Sequence, residues 1–250
     1  MAYSAFAEFY DLLTEEISYP KRAEYFHQVL KKFGGGSGIL LDLACGTGSL
    51  SVEMARLGYD VIGVDGSCEM LSAAMAKDND AQGKVLYLCQ QMEELDLYGT
   101  IQATVCALDS LNHVTDLDTL EKIFAKVSLF SESGSLFVFD VNSVYKHREV
   151  LGNNTFVYDM DEVYCVWQNT YHPENHLVDI SLDFFVEEEG VYYRESEAFS
   201  ERAYTPEQLD ALLEKTGFEK LAVYGEDSFD PPGETEQRLI YVARRRPKND

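Results

Sequence analysis

The stretch that decides the fold runs Leu41-Asp42-Leu43-Ala44-Cys45-Gly46-Thr47-Gly48. It continues an apolar run that begins at Ile39, and residues 50 to 57 then place apolar side chains at helical spacing. The stretch therefore lies where a buried strand passes into a helix. Glycines at that point let a ligand approach the backbone closely, and the first turn of the helix offers free N–H groups. The sequence thus predicts a ligand site at this turn.

The segments around this stretch alternate between strand and helix patterns. A helix over 20 to 33 precedes it, and a second strand at 61 to 64 follows it. Further on, the patterns predict helices near 67 to 76 and 116 to 130, strands near 84 to 89, 103 to 108 and 135 to 141, then a helix from Thr205 to Gly217 and strands at 219 to 224 and 238 to 243. Such alternation indicates a parallel sheet of about seven strands in an α/β fold.

The alternation stops between residues 155 and 203, where four strand-like runs follow one another. Their period of two and the Glu189-Gly190 turn favour antiparallel hairpins. We therefore predict a core made of residues 1–154 and 204–250, with residues 155–203 inserted as an antiparallel β-sheet subdomain. Trp167 either walls a pocket under this sheet or belongs to its core.

The composition narrows the classes of partner. There are 20 Lys and Arg residues against 44 Asp and Glu, a formal net charge of −24. Such a surface repels polyanions, so nucleic acid is a disfavoured substrate. No basic region followed by an apolar run opens the sequence, and no apolar stretch is long enough to span a membrane, so we expect a cytoplasmic protein without membrane association.

Five cysteines are widely spaced, with no CxxC pair and no clustered histidines. This pattern predicts free thiols in a reducing compartment, most of them buried, and no metal site.

The motif from Leu41 to Gly48 resembles the first motif of the class I S-adenosylmethionine-dependent methyltransferases. Asp65 follows the second strand, where a carboxylate can accept from both ribose hydroxyls. Residues 67 to 71, 89 to 95 and 107 to 113 resemble the family segments that line the adenine, its amino group and the methionine portion. The resemblance implies S-adenosyl-L-methionine as cofactor and a seven-stranded Rossmann-like methyltransferase sheet with the inserted antiparallel sheet as a lid. The implied cofactor-binding residues are Asp42, Ala44, Cys45, Gly46, Gly48, Asp65, Gly66, Met70, Gln91, Met92, Leu108, Asp109 and Ser110, together with Tyr3 and Tyr10.

The resemblance extends to a bacterial branch of this superfamily, the YqeM type. It rests on Ser4-Ala5-Phe6-Ala7 with Tyr10-Asp11, and on residues 109 to 112, 139 to 143 and 166 to 168. It implies an aromatic N-terminal segment and an insertion over the active site, and it names no acceptor.

The catalytic candidates follow from what methyl transfer requires, which is an oriented nucleophile that loses its proton. His113 is the first candidate for taking the proton, Asp109, Tyr10 and Tyr204 are the alternatives, and Asn112 could orient the acceptor. A capping or solvent-facing role for His113 is the alternative. We expect a small-molecule acceptor; the insertion is either a lid or the contact sheet of a homodimer.

Two other functions stay open on the sequence alone. A nicotinamide-dependent oxidoreductase would share Asp65, but its Gly-x-Gly-x-x-Gly or Ala pattern is met here only by Gly46, Gly48 and Ser51. A catalytically inert S-adenosylmethionine-binding module is excluded by no residue.

Overall fold

The computed structural model describes residues 18–78, 85–159, 163–188 and 190–247. Its α-helices are α1 (Tyr19–Lys32), α2 (Ser49–Arg56), α3 (Cys68–Asp78), α4 (Leu117–Phe130) and α5 (Pro206–Lys215). Its strands are β1 (Ile39–Leu43), β2 (Asp60–Asp65), β3 (Val85–Cys89), β4 (Ile101–Cys106), β5 (Ser131–Asn142), β6 (Thr155–Asp159), β7 (Val163–His172), β8 (Leu177–Glu188), β9 (Val191–Arg202), β10 (Phe218–Gly225) and β11 (Arg238–Arg245).

The larger sheet has seven strands in the order β10-β11-β5-β4-β1-β2-β3. Strands β1 to β5 run parallel, and β11 is antiparallel to both β5 and β10. The order reverses between β1 and β4, and in open α/β sheets ligands bind at the carboxyl ends of the strands beside such a reversal. The predicted seven-stranded α/β sheet is confirmed, and its reversal lies beside the turn that follows β1.

Helices cover both faces of this sheet. On one face Phe124 of α4 and Leu213 of α5 are fully buried, and on the other Phe26 of α1 and Met54 of α2 are. The segment of β5 from residue 135 to 142 is buried throughout, as expected of a central strand covered on both sides. Burial of each such apolar side chain contributes about 1.5–3 kcal/mol to the stability of the fold. This packing fixes the strand ends that carry the candidate site.

Helix α5 begins as its sequence predicts. Thr205 is the N-cap, its hydroxyl accepts from Gln208 N, and the Gln208 side chain accepts from Thr205 N. Pro206 occupies the first helical position, where its missing N–H costs nothing. Gly217 ends the helix with a φ of +87°.

The insertion forms a separate four-stranded antiparallel sheet in the order β6-β7-β8-β9. One face holds its own apolar cluster, which includes Cys165, Ile180 and Phe184, and the Trp167 ring packs against that cluster. Trp167 therefore belongs to the core of the sheet, the second of its two predicted roles. The exact limits of the two subdomains stay a prediction.

Two kinds of element were not expected from the sequence. Residues Lys146–Leu151 form a π-helix, and Met92–Glu94 and Ser110–His113 form short 3₁₀ helices. None of the helices in the described part of the chain combines the length and hydropathy of a membrane-spanning segment.

The prediction of free thiols is wrong for two of the cysteines. Cys68 and Cys89 are exposed and form a disulfide, whereas Cys45, Cys106 and Cys165 are free. The physical reason lies in the parallel pairing of β2 with β3, which sets Asp65 beside Cys89 and brings the start of α3 to the end of β3. A separation of 21 residues hides this proximity in the sequence.

Candidate cofactor and acceptor site

The turn after β1 is built from left-handed backbone. Ala44, Gly46 and Gly48 have φ values of 60°, 55° and 73°. A Cβ on Gly48 would lie 2.5 Å from the Tyr87 hydroxyl, so packing requires glycine there. A Cβ on Gly46 would meet nothing within 4 Å, so this glycine borders open space. The turn thus presents bare backbone toward a space where a ligand fits, and the left-handed alanine marks the strain common at binding sites.

Asp42 lies behind this turn. Its side chain is buried and accepts a 2.5 Å hydrogen bond from the Ser51 hydroxyl of α2. Burial raises its pKa to about 7, with a further contribution from the charge of Asp65. The contact ties the end of β1 to α2 and thereby holds the turn in place. Burial also raises the pKa of the Cys45 thiol, which keeps it protonated. Direct contacts of Asp42 and Cys45 with a cofactor stay predictions.

The carboxylate of Asp65 stands at the end of β2, facing the turn. Oδ2 accepts from Gly46 N at 2.8 Å, and Oδ1 accepts from Ser67 N at 2.8 Å. Burial raises the pKa of Asp65, while these N–H donors and the charge of His113 act in the opposite direction. A carboxylate offers about four acceptor positions, so each oxygen keeps one for a further donor. Paired hydroxyls such as those of a ribose fit this arrangement.

The end of β3 forms the neighbouring wall. The Gln91 side chain lies over Gly66, where a Cβ would come within 2.7 Å of the amide nitrogen. Gln91 Nε2 donates to the Gly66 carbonyl at 3.5 Å, and the Gln91 side chain is exposed. Met70 is buried and Met92 is half-buried. The glycine at 66 thus makes room for the amide that the sequence predicts to meet an adenine.

The end of β4 is held by a carboxylate from the next strand. Leu108 and Asp109 both have positive φ, 57° and 53°. Asp140 of β5 accepts from their N–H groups at 2.8 and 2.7 Å, and Ser110 Oγ donates to the Ala107 carbonyl at 2.8 Å. These bonds fix a backbone that non-glycine residues seldom adopt.

Arg238 of β11 completes this corner. Its guanidinium donates to Asp140 Oδ1 at 2.5 Å and to Asp109 Oδ1 at 2.7 Å, and it is nearly buried. Burial alone would raise the pKa of Asp109, but Arg238, Lys146 and His113 together hold it well below its usual range. Burial likewise opposes the charge on Arg238, and Asp140, Asp109 and Glu226 raise its pKa. Asp109 is therefore an ionised side chain held by structural cations.

His113 lies at the end of the 3₁₀ turn after β4. Its ring centroid is 5.0 Å from that of Phe199, and Nε2 lies 3.7 Å from Glu201 Oε1, so two residues of β9 contact it. One ligand atom each from Asp109, His113 and Glu201 lies within 4.8 Å of the others, a spacing found in metal sites. Arg238 already neutralises Asp109, so the protein's own cations satisfy this group, and we assign no metal to it.

The sequence and structure of this chain match known methyltransferases. Residues 40–130 match the family model described as a methyltransferase domain. The chain is 30% identical to YqeM of Bacillus subtilis (strain 168), provisionally named a methyltransferase, over 98% of both chains. It is 33% identical to an S-adenosylmethionine-dependent methyltransferase from Clostridium acetobutylicum ATCC 824, with a TM-score of 0.89 over 98% of this chain and 99% of that one. The chain belongs to the class I S-adenosylmethionine-dependent methyltransferases. A glycine/sarcosine N-methyltransferase of Halorhodospira halochloris is 28% identical over 86% of this chain and 78% of its own length.

The structure of this methyltransferase brings most of the predicted site residues to one edge of the sheet. The ends of β1, β2, β3 and β4 carry them from Asp42 to His113, while Tyr3 and Tyr10 lie outside the described residues. Asn112 is fully buried; its Oδ1 accepts from Asn142 N and its Nδ2 donates to the Arg202 carbonyl. That side chain joins β5 to β9, and its predicted contact with an acceptor stays a prediction.

Several residues that surround the candidate site were missed from the sequence. Asp140 was quoted only as part of a motif, and Arg238, Glu201 and His147 gave no local signal. Tyr204, considered for proton transfer, donates its hydroxyl proton to the Val114 carbonyl and is buried. The available signal was Asp140, a charged residue inside the apolar strand β5, because buried charges need partners.

Proposed function

We propose that this chain binds S-adenosylmethionine along the carboxyl ends of β1 to β4 and transfers its methyl group to a small-molecule acceptor, with His113 taking the acceptor's proton. One observation carries the proposal. Asp65 keeps an acceptor position on each carboxylate oxygen directly beside the open backbone at Gly46. In a Rossmann-like sheet, this is the position at which a ribose binds.

The residues present fit the cofactor's chemistry. S-adenosylmethionine supplies an electrophilic methyl group on a sulfonium, so the protein needs no covalent nucleophile. The protein's task is to hold the acceptor in line with that methyl group and to exclude water. Asp65 and the backbone at Gly46 would hold the nucleoside, and Gln91 would meet the adenine amino group. The β4 turn, fixed by Asp140, would border the reacting atoms.

Three observations support a small acceptor. The net charge of −24 disfavours a polyanion. The inserted sheet brings Phe199 and Glu201 against His113, so it borders the end of β4, where an acceptor would lie. The related protein from Halorhodospira is named for the small amines glycine and sarcosine. An amine must lose a proton in such a transfer, and His113 is the accessible base at this position.

The test is methyl labelling in a complex mixture. Purified protein is incubated with S-adenosylmethionine carrying an isotopic methyl group and a bacterial extract, and the small-molecule, RNA and protein fractions are analysed by mass spectrometry. We expect the label in a compound of the small-molecule fraction, and a loss of at least tenfold in rate for Phe199→Ala with retained cofactor binding. Label found in RNA or protein, or no label at all despite cofactor binding, would contradict the proposal.

A further inference from the structure

A buried carboxylate of the inserted sheet lies between two imidazole rings from different parts of the core. Glu201, near the end of β9, is 4% exposed. Its Oε1 lies 3.7 Å from His113 Nε2, and its Oε2 lies 3.6 Å from His147 Nε2. His147 belongs to the π-helix and is fully buried, whereas 30% of the His113 side chain is exposed. One carboxylate thus connects a buried histidine with the histidine that faces the acceptor site.

The backbone sets the tautomer of His147. Its Nδ1 lies 3.1 Å from the His176 carbonyl oxygen, and because a carbonyl only accepts, Nδ1 carries a proton. In neutral His147 the lone pair of Nε2 would then face the Glu201 carboxylate, in a place without solvent. Nε2 has no hydrogen-bond partner within the described ranges. At 3.6 Å the contact between Nε2 and Oε2 is longer than a hydrogen bond, so the His147 ring packs beside the carboxylate.

A lysine and an asparagine fix the orientation of the carboxylate. Lys146 Nζ donates to Asn142 Oδ1 at 2.9 Å, and because an ammonium only donates, the Asn142 oxygen faces Lys146. The amide nitrogen therefore faces Glu201 and donates to Oε2 at 3.3 Å. The Asn142 donor acts on Oε2, which leaves Oε1 for His113.

The other ring nitrogen of His113 is the one available to an acceptor. Nε2 faces Glu201, Phe199 packs on the ring, and Nδ1 makes no hydrogen bond with the described residues. Besides Glu201, the charged groups around the ring are Asp109 after β4 and Asp65 at the end of β2, and the charge of His113 lowers the pKa of both. Negative charge thus surrounds the place where an imidazolium would form.

We infer that Glu201, held through Oε2 by Asn142, is a positioning residue that orients His113 through Nε2 and stabilises its imidazolium while Nδ1 takes the proton of the acceptor. This inference rests on the proposed function. In the transfer, the acceptor's lone pair forms the bond to the methyl carbon and the carbon–sulfur bond breaks, leaving its electrons on a thioether sulfur. The acceptor's N–H or O–H proton moves to His113 Nδ1, and from there to water. No further reactant is needed.

The experiment titrates the histidines of the full chain by NMR, with and without S-adenosylhomocysteine. Glu201→Gln keeps the shape and the amide acceptor but removes the charge, so we expect the His113 titration midpoint to fall by about one pH unit or more. Glu197→Gln is the matched control, because Glu197 lies on the same face of β9 and is also buried. It should move the midpoint by less than about 0.3 units.

The wild-type protein offers a second readout that needs no variant to fold. Its ¹⁵N histidine spectrum should show His147 with a proton on Nδ1, the tautomer that free histidine disfavours. Neutral His147 with its proton on Nε2 alone, or an unchanged His113 midpoint in folded Glu201→Gln, would overturn the inference. Either result can occur while the cofactor still binds and label still reaches a small molecule, so this failure is distinguishable from failure of the proposed function.

Discussion

Two aspartates lie at or near the carboxyl ends of two parallel strands of one sheet, β2 and β5, and their surroundings differ. Asp65 ends β2, is half-buried and accepts one backbone N–H on each oxygen. Asp140 of β5 is fully buried; it accepts two backbone N–H groups and the Arg238 guanidinium, and Arg22 lies 3.7 Å away. Asp65 keeps acceptor capacity for a ligand, whereas the protein itself uses that of Asp140.

This difference shows that a carboxylate at a strand end is not by itself a ligand site. What decides its role is whether a buried cation reaches it. Arg238 lies on β11, the strand next to β5, and cannot reach the end of β2 on the other side of β1 and β4. The half of the sheet around β1 to β3 therefore presents open acceptors, and the half around β5 and β11 forms a closed ion network that holds the β4 turn.

The largest effect should follow from Asp140→Ala. The change leaves Arg238 buried without its principal partner and frees the N–H groups of Leu108 and Asp109, so we expect the free energy of unfolding to fall by about 3–5 kcal/mol. Urea denaturation measures it. Asp60→Ala, an exposed carboxylate at the start of β2, is the control and should change stability by less than about 0.5 kcal/mol. A loss below about 1 kcal/mol for Asp140→Ala would mean that the ion network does not hold this corner.

Asp65→Ala should change the affinity for the cofactor and leave the protein folded. Two charge-assisted hydrogen bonds to the ribose would be lost, so affinity for S-adenosylhomocysteine should fall by about 2–4 kcal/mol while the protein stays folded. Calorimetric titration measures the affinity, and circular dichroism the fold. Asp60→Ala again serves as control and should bind like the parent. An unaltered dissociation constant in Asp65→Ala would show that the ribose binds elsewhere.

A third carboxylate, Asp42, is buried like Asp140 but has a neutral side-chain partner, Ser51. Burial raises its pKa from 3.8 to about 7, so the folded chain keeps a proton that the unfolded chain loses above pH 4. Stability contributed at this position therefore falls as pH rises from about 4 to about 7. Asp42→Asn, which still accepts from Ser51, should lack this fall and gain about 1–3 kcal/mol on the parent across that window. Parallel pH profiles of the two would refute the assignment.

The sequence predicted the fold to within a few residues at most element ends, because each core element carries its own signal. The spacing of apolar residues, together with glycine, proline and capping residues at the element ends, predicts β1, α2 and α5. Two-residue alternation separates the inserted sheet from the parallel strands. The cofactor edge could also be predicted, because its residues belong to local motifs around Gly46 and Asp65. What the sequence could not supply are contacts between distant segments. Arg238 reaches Asp109 across 129 positions, and Cys68 meets Cys89 only because β2 and β3 pair in parallel.

His113 illustrates the same limit at the acceptor side. Its place after β4 was predicted, but its partner Glu201 lies 88 positions later, on a strand of the inserted sheet. No pattern in either segment predicts that contact, because it depends on where the end of β9 packs against the larger sheet.

Calorimetric titration of the unmodified protein with S-adenosylhomocysteine and, separately, with NAD tests the central claim most directly. The open acceptors at Asp65 and the bare backbone at Gly46 predict that S-adenosylhomocysteine binds at one site with a dissociation constant in the micromolar range, about −8 kcal/mol. NAD should give no heat of binding. A folded preparation that binds NAD and gives neither heat nor thermal shift with S-adenosylhomocysteine would contradict the account.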